Sequence, residues 1–276
     1  VGALELGEDV GMTELLDRLE RYYDTVPRAS ATAETIGGFT LFVAKEGFPY
    51  YARPALGGAQ ELTVAAALAV LERQRALGVP EAFEWVDEVT PGAASVIGAA
   101  GLEVHRHPLL VLDTLRPLDE PAGVRLRLAG ADDASLAPLK AVLDLSFSLG
   151  GTAVGEGGPA ERDAGARSDD AGVAAWRTKI GQGLMHMVVA DDDTGPVGGG
   201  SHSPRDGVTE LAGIATLPTH RRRGIGAAIT ARLVQDALGG GCEMCFLSAE
   251  SSEVARVYEN VGFVQVGVAC TAEIPG

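Results

Sequence analysis

At 276 residues the chain exceeds one average domain and suits two, each large enough to bury its own core. A hydrophobic fraction of 46% fits a folded protein, and no apolar run approaches the ~20 residues that a membrane-spanning helix needs. The net charge of −16 repels phosphate backbones and anionic lipid and attracts amines, so nucleic acid and membrane are not expected as partners. The start, Val1-Gly2-Ala3-Leu4-Glu5, lacks the basic stretch and apolar core of a signal segment, and three cysteines cannot all pair with one another. Both observations fit a reducing cytoplasmic setting.

Residues 13–23 carry Leu15, Leu16, Leu19 and Tyr22 at helical spacing among charged neighbours. Strands follow over 39–43 and 50–52, with Gly47 and Pro49 as turn residues between them. An alanine-rich helix over 63–77 is stopped by Gly78 and Pro80, a strand covers 83–86, a helix 91–100 ends at Gly101, and a strand runs over 105–112. Pro117, Asp119, Glu120 and Pro121 make 113–123 a polar, proline-bearing linker, so the expected domains are 1–116 and 117–276.

The second half opens with a strand over 124–128 and a helix from Asp132 to Phe147, capped by Asp132 or Asp133. Residues 150–172 are glycine-rich and acidic and read as a mobile loop or lid. Strands over 185–190, around Val197, over 211–217, 244–247 and 264–272 then alternate with helices over 226–238 and 253–261. The expected class is therefore α/β, a mixed sheet flanked by helices.

An internal repeat sharpens the division. At an offset of 161 positions Gln74, Ala76, Leu77, Gly78 and Gly101 match Gln235, Ala237, Leu238, Gly239 and Gly262, and the order of elements agrees as well. The first copy lacks the second copy's chemistry. Arg221-Arg222-Arg223-Gly224-Ile225-Gly226 falls on Gln60-Glu61-Leu62-Thr63-Val64-Ala65, and Tyr258 falls on Ile97.

The Arg-x-x-Gly-x-Gly segment between a strand and a helix suits an anion such as pyrophosphate, since glycine admits close backbone approach and a helix N-terminus offers unpaired N–H groups. With Leu217-Pro218-Thr219-His220 as its turn, it resembles the phosphate loop of the GNAT superfamily of acyl-CoA-dependent N-acyltransferases. A second segment, Ser251-Ser252-Glu253-Val254-Ala255-Arg256-Val257-Tyr258-Glu259-Asn260-Val261-Gly262-Phe263, is similar to that family's helix ending in Tyr-x-x-x-Gly-Phe. The resemblance implies two tandem GNAT-like domains, the first degenerate and the second binding acetyl-CoA as cosubstrate. It places the pyrophosphate on Arg221, Arg222, Arg223, Gly224, Ile225, Gly226 and Ala227, and the thioester along Ile214, Ala215 and Thr216. Ser251 stands where the family usually has a cofactor-touching asparagine.

By the same resemblance Tyr258 would protonate the departing thiolate, and Glu210 would serve as the general base. The implied activity is acetyl transfer from acetyl-CoA to an amine of a small molecule or peptide, with a cationic acceptor favoured by the acidic residues Glu156, Glu161, Asp163, Asp169 and Asp170. The alternative is a non-catalytic acyl-CoA-binding or regulatory module. Plainer readings stand beside these: Tyr258 as a packing ring, Glu210 as a solvated strand residue, the acidic segment as a solvated charge run. Cys242 and Cys245 read as packing thiols on a buried strand, and the scattered histidines carry no metal assignment, with His186 a lesser candidate for the acceptor site.

Overall fold

The computed structural model describes residues 10–44, 50–58, 60–119 and 121–275. The signal reading at the N-terminus, the turn at Gly47 and Pro49, and Glu120 of the linker lie outside the described residues. The chain divides into two compact units, Leu110–Val264 and Gly2–Leu109 together with Gln265–Gly276. This differs from a single cut after residue 116, because the end of the chain returns to the first unit as a paired strand.

That first unit contains α1 (Val10–Arg28), β1 (Ala31–Ile36), β2 (Phe39–Ala44), β3 (Arg53–Pro54), α2 (Val64–Leu77), β4 (Ala82–Val86), α3 (Ala93–Ala99) and β5 (Glu103–Leu112). β1 and β2 form a hairpin across Gly37 and Gly38, with Ile36 opposite Phe39. The strand expected over 50–52 is displaced: only Ala52 bridges to Phe83, and the pairing with β2 is made by Arg53 and Pro54. Arg53 is buried and reaches Glu20 at 3.1 Å and Glu84 at 2.8 Å, which satisfies a cation that would otherwise be stranded in the core. Phe39, Leu41, Val70, Phe83, Trp85 and Ile97 belong to the buried core of this unit. The returning strand pairs antiparallel with β4, from Ala269 opposite Val86 to Glu273 opposite Ala82.

The second unit contains β6 (Arg125–Leu128), α4 (Leu136–Ser148), α5 (Pro159–Gly165), α6 (Ala171–Gly181), β7 (His186–Asp192), β8 (Gly195–Arg205), β9 (Val208–Thr216), a 3-10 turn at Pro218–His220, α7 (Ile225–Gly239), β10 (Met244–Ser248) and α8 (Ser252–Val261), from which the chain enters the returning strand, β11 (Phe263–Glu273). Its strands lie in the order β10-β9-β8-β7-β6. β10 and β9 are parallel and the other neighbours antiparallel, so the sheet is mixed. Helices cover both faces because of Gly198-Gly199-Gly200 in β8. A Cβ on Gly199 would lie 2.5 Å from Leu139 of α4, and one on Gly198 3.0 Å from Ile229 of α7, on the opposite face by strand alternation.

Two expectations change here. α4 begins at Leu136, because Asp133 instead accepts from the Ser135 N–H at 2.8 Å and pairs with Arg127. The segment 150–172 is partly helical. Pro159 starts α5, Asp170 caps α6 by accepting from Gly172 and Val173, and Arg162 is buried, donating to Thr194 and Pro196 at 2.7 and 2.8 Å. High glycine content hides these starts in the sequence.

Candidate active site

The cleft arises from a break in strand pairing. β9 pairs with β8 through Thr216, but with β10 only as far as Glu210 opposite Phe246. Gly213 has φ +63, and the register with β8 slips between Gly199 and Ser201. Such a bulge bends the strand. Residues 211–216 therefore have no strand partner on the β10 side, and a cavity of about 470 Å³ opens along them. Its walls include Ile214, Ala215 and Thr216, the loop from His220 to Arg222, Gly224 to Ala227, and Glu250 and Tyr258.

At one end stands the N-terminus of α7. Gly224 has φ +77, no side chain caps the helix, and Ala228 makes the bond back to the Gly224 carbonyl. The N–H groups of Ile225, Gly226 and Ala227 thus have no acceptor inside the helix, which also presents the positive end of its dipole. A Cβ on Gly224 would meet nothing within 4 Å, so the backbone is open to an approaching ligand. Open amides, the dipole and a cavity reaching them are the donor set a pyrophosphate requires.

The arginines divide their tasks. Arg221 donates to the carbonyls of Ser146, Gly150 and Ala153 at 2.9, 2.7 and 3.2 Å, fastening the segment after α4 to the rim. Arg222, at φ +64, lines the cavity. Arg223 points away toward the Ala122 carbonyl at 3.3 Å and does not line it. The Ser251 hydroxyl accepts from the Val254 N–H as the cap of α8, and Ser251 is not in the cavity wall.

Tyr258 lies in the wall with 8% of its surface exposed, its ring edge-on to Phe263. Burial, and then the Glu250 charge, push its phenol up to about 12, so it stays protonated at neutral pH. Glu210 is the third residue of β9, opposite Ser203, and the cavity does not reach it. Among the described residues Glu250 is the carboxylate that lines the cavity. His220 also lines it, but Nε2 donates to Asp192 at 3.1 Å and Nδ1 accepts from Thr219 at 2.9 Å, leaving neither nitrogen open. Sequence reasoning missed Glu250 because it sits between two motifs with no spacing to mark it. Phe147, 60% exposed at the rim, was missed likewise.

Of the acidic residues expected at a rim, three are engaged locally: Glu161 accepts from the Gly158 N–H, Asp163 pairs with Arg162, and Asp170 caps α6. Cys242 and Cys245 are buried, and burial pushes Cys245 up to about 12, too high for a thiolate. His186 lies outside the cavity wall and instead meets His202 and Asp236.

Residues 183–265 match the family described as an acetyltransferase (GNAT) domain. That stretch, which includes the loop before α7 and the helix bearing Tyr258, is similar to a GNAT domain. Over 95% of its length, and 96% of the other's, the chain is similar to a GCN5-related N-acetyltransferase from Kribbella flavida, with 25% identity and a TM-score of 0.70. A GCN5-related N-acetyltransferase from Sphaerobacter thermophilus aligns over 94% of this chain and 86% of its own, at 15% identity and a TM-score of 0.59. A tandem GNAT protein from the clavulanic acid biosynthesis pathway aligns over 99% and 98%, at 16% identity and 0.55. The GNAT fold thus extends across both units. Among curated proteins none matches in sequence. Among the described residues no helix is long and apolar enough to cross a membrane.

Proposed function

We propose that the GNAT domain of the second unit transfers an acetyl group from acetyl-CoA to a primary amine, with Tyr258 as general acid and Glu250 as general base. The observation that carries this reading is the cavity itself. It joins the open amides of α7, the unpartnered edge of β9, a buried phenol and a carboxylate in one continuous wall.

The amides of Ile225, Gly226 and Ala227 would hold the pyrophosphate, and Arg222 adds positive charge beside it. The free edge over Ile214, Ala215 and Thr216 offers N–H and C=O groups to the amides of the pantetheine arm, as a sheet edge does to an added strand. Acetyl-CoA supplies the thioester, an acyl carbon already activated toward an amine. An amine is nucleophilic only when neutral, so Glu250, directly or through a water, takes a proton from the acceptor nitrogen. As the N–C bond forms and the C–S bond breaks, the Tyr258 phenol would deliver its proton to the sulfur, and the second proton that the nitrogen sheds as the amide forms would pass through solvent to restore the phenol. Such groups contribute typically 10²–10⁴-fold each.

The acceptor amine is cationic before it gives up its proton, which suits a chain of net charge −16 and an entrance bearing Glu250. Phe147 adds an apolar surface for the acceptor's body, be it a small molecule or a peptide. Calorimetric titration with acetyl-CoA, then thiol release measured across a panel of amines, tests the proposal. Saturable binding with amine-dependent thiol release supports it, binding without release for any amine would leave a non-catalytic CoA-binding module, and no binding at all refutes it.

A further inference from the structure

His186 and His202 are cross-strand partners, directly opposite one another on β7 and β8. Their rings lie 4.8 Å apart, tilted by 38°. α7 covers this face and places Asp236 over both, its Oδ2 lying 2.7 Å from His186 Nδ1 and 3.0 Å from His202 Nε2. The three ligand atoms fall within 4.8 Å of one another. Two successive strands and a later helix thus bring two imidazole nitrogens and one carboxylate oxygen together.

From this geometry we propose that His186, His202 and Asp236 form a binding site for a divalent transition metal of zinc-like preference. Nitrogen and carboxylate ligands in a three-residue set fit Zn²⁺ or Co²⁺ better than the all-oxygen shells of Mg²⁺ and Ca²⁺. Bonds of about 2.0–2.1 Å in a tetrahedron hold ligand atoms roughly 3.3 Å apart, so the carboxylate withdraws a few tenths of an ångström from each ring while the two imidazole nitrogens, now within 4.8 Å, turn toward each other. The fourth position falls to water, because the His186 side chain is 39% exposed and opens the cluster to solvent.

The surroundings support the same assignment. His202 is 1% exposed and its far nitrogen, Nδ1, lies 3.0 Å from Oγ1 of the fully buried Thr209. A metal-bound imidazole is oriented by a partner on its other nitrogen, and Thr209 is already in that position. The protons balance without a co-reactant. With Asp236 as a carboxylate, both rings now donate to it, and each proton moves to the opposite ring nitrogen when the metal takes its place. His202 Nδ1–H then donates to Thr209, and His186 Nε2–H faces water.

None of the three residues lines the acyl-transfer cavity, so metal and cofactor would bind independently. The test uses the full chain after stripping with a chelator, titrated with Co²⁺ and followed by its visible d–d absorption, with Zn²⁺ as competitor and calorimetry for stoichiometry. One Co²⁺ per chain with a tetrahedral spectrum, displaced by Zn²⁺, and a Zn²⁺-dependent rise in melting temperature are expected. His186→Gln, at the exposed edge, should keep the fold and weaken binding at least tenfold, and Asp236→Asn should do the same. Absence of saturable binding to the wild type, or equal affinity in the folded His186→Gln protein, would overturn the site and leave a hydrogen-bonded His–Asp–His cluster.

Discussion

Replacing Tyr258 with phenylalanine removes one hydroxyl and keeps the ring packed 6.3 Å from Phe263. No side-chain hydrogen bond contributes to the behaviour of this phenol, only burial and the Glu250 charge, so the stability change at pH 7 should stay within ~1 kcal/mol. At high pH the two proteins part. The folded phenol ionises at about 12, whereas an unfolded tyrosine does so near 10. Between these values the unfolded state has lost a proton that the native state keeps, so wild-type stability is fully present below pH 10 and declines as pH rises through 12. Two units correspond to roughly 3 kcal/mol at full development, a decline that the phenylalanine variant lacks. Urea unfolding of both proteins from pH 7 to 11 reads the onset. In turnover the variant should lose about 10²–10⁴-fold in kcat while binding acetyl-CoA as before. An unchanged kcat under chemistry-limited conditions would reduce Tyr258 to a packing residue, and parallel alkaline stability curves would refute its burial as a neutral phenol.

The remaining expectations are more local. Glu250→Gln should lower kcat by about 10²-fold or more with acetyl-CoA affinity retained, while Glu210→Gln, outside the cavity, should leave kcat near wild type, both read by thiol release. Gly224→Val forces a branched side chain into the left-handed region at a cost of about 1–2 kcal/mol and intrudes on the open amides, so calorimetry should show acetyl-CoA binding at least tenfold weaker. Gly262→Ala would set a Cβ 1.8 Å from the Thr114 carbonyl oxygen at φ +115, and thermal unfolding should report a loss of about 3 kcal/mol or more.

Much of the fold was legible because its signals are local. Helical spacing marked α1, glycine stops marked the ends of α2 and α3, and two motifs marked the anion loop and the tyrosine helix. What escaped depends on contacts distant in sequence. β1 has alternating polar residues and joins a sheet only because Gly37 and Gly38 turn it onto β2. The chain's end is an ordinary strand in sequence, and nothing local says that it pairs with β4. In the site, the loop glycines and Tyr258 could be read from their motifs, but the arginines could not be told apart. Arg221 and Arg222 line the cavity and Arg223 does not, and the partners that hold Arg221 and Arg223, the carbonyls of Ser146 and Ala122, lie some seventy-five and a hundred residues away. Glu250 had no motif at all, and Glu210 was singled out by the family resemblance, although its strand's pairing with β10 holds it outside the cleft.

The 161-residue offset read in the sequence sets two helix starts side by side, and their difference bears on the proposed anion site. Gly224 aligns with Thr63, and both stand immediately before a helix, α7 in one unit and α2 in the other. Thr63 has extended backbone angles and its hydroxyl accepts from the Ala66 N–H at 3.2 Å, so the helix supplies its own partner for one of its orphan donors. Gly224 has no side chain to do this, and its left-handed φ turns the preceding loop aside. The amides of α7 therefore lack an internal acceptor where those of α2 have one, and replacing glycine with a capping threonine both fills the position and removes the conformation that exposes it. The first copy's Glu61 would further repel the anion that Arg222, at the equivalent place, attracts. α2 satisfies one of its orphan donors by its own cap, whereas those of α7 are left to a ligand; on this ground we assign the proposed acetyl-CoA binding to the second unit, and Thr63→Ala should lower stability by ~1 kcal/mol without creating a cofactor site in the first.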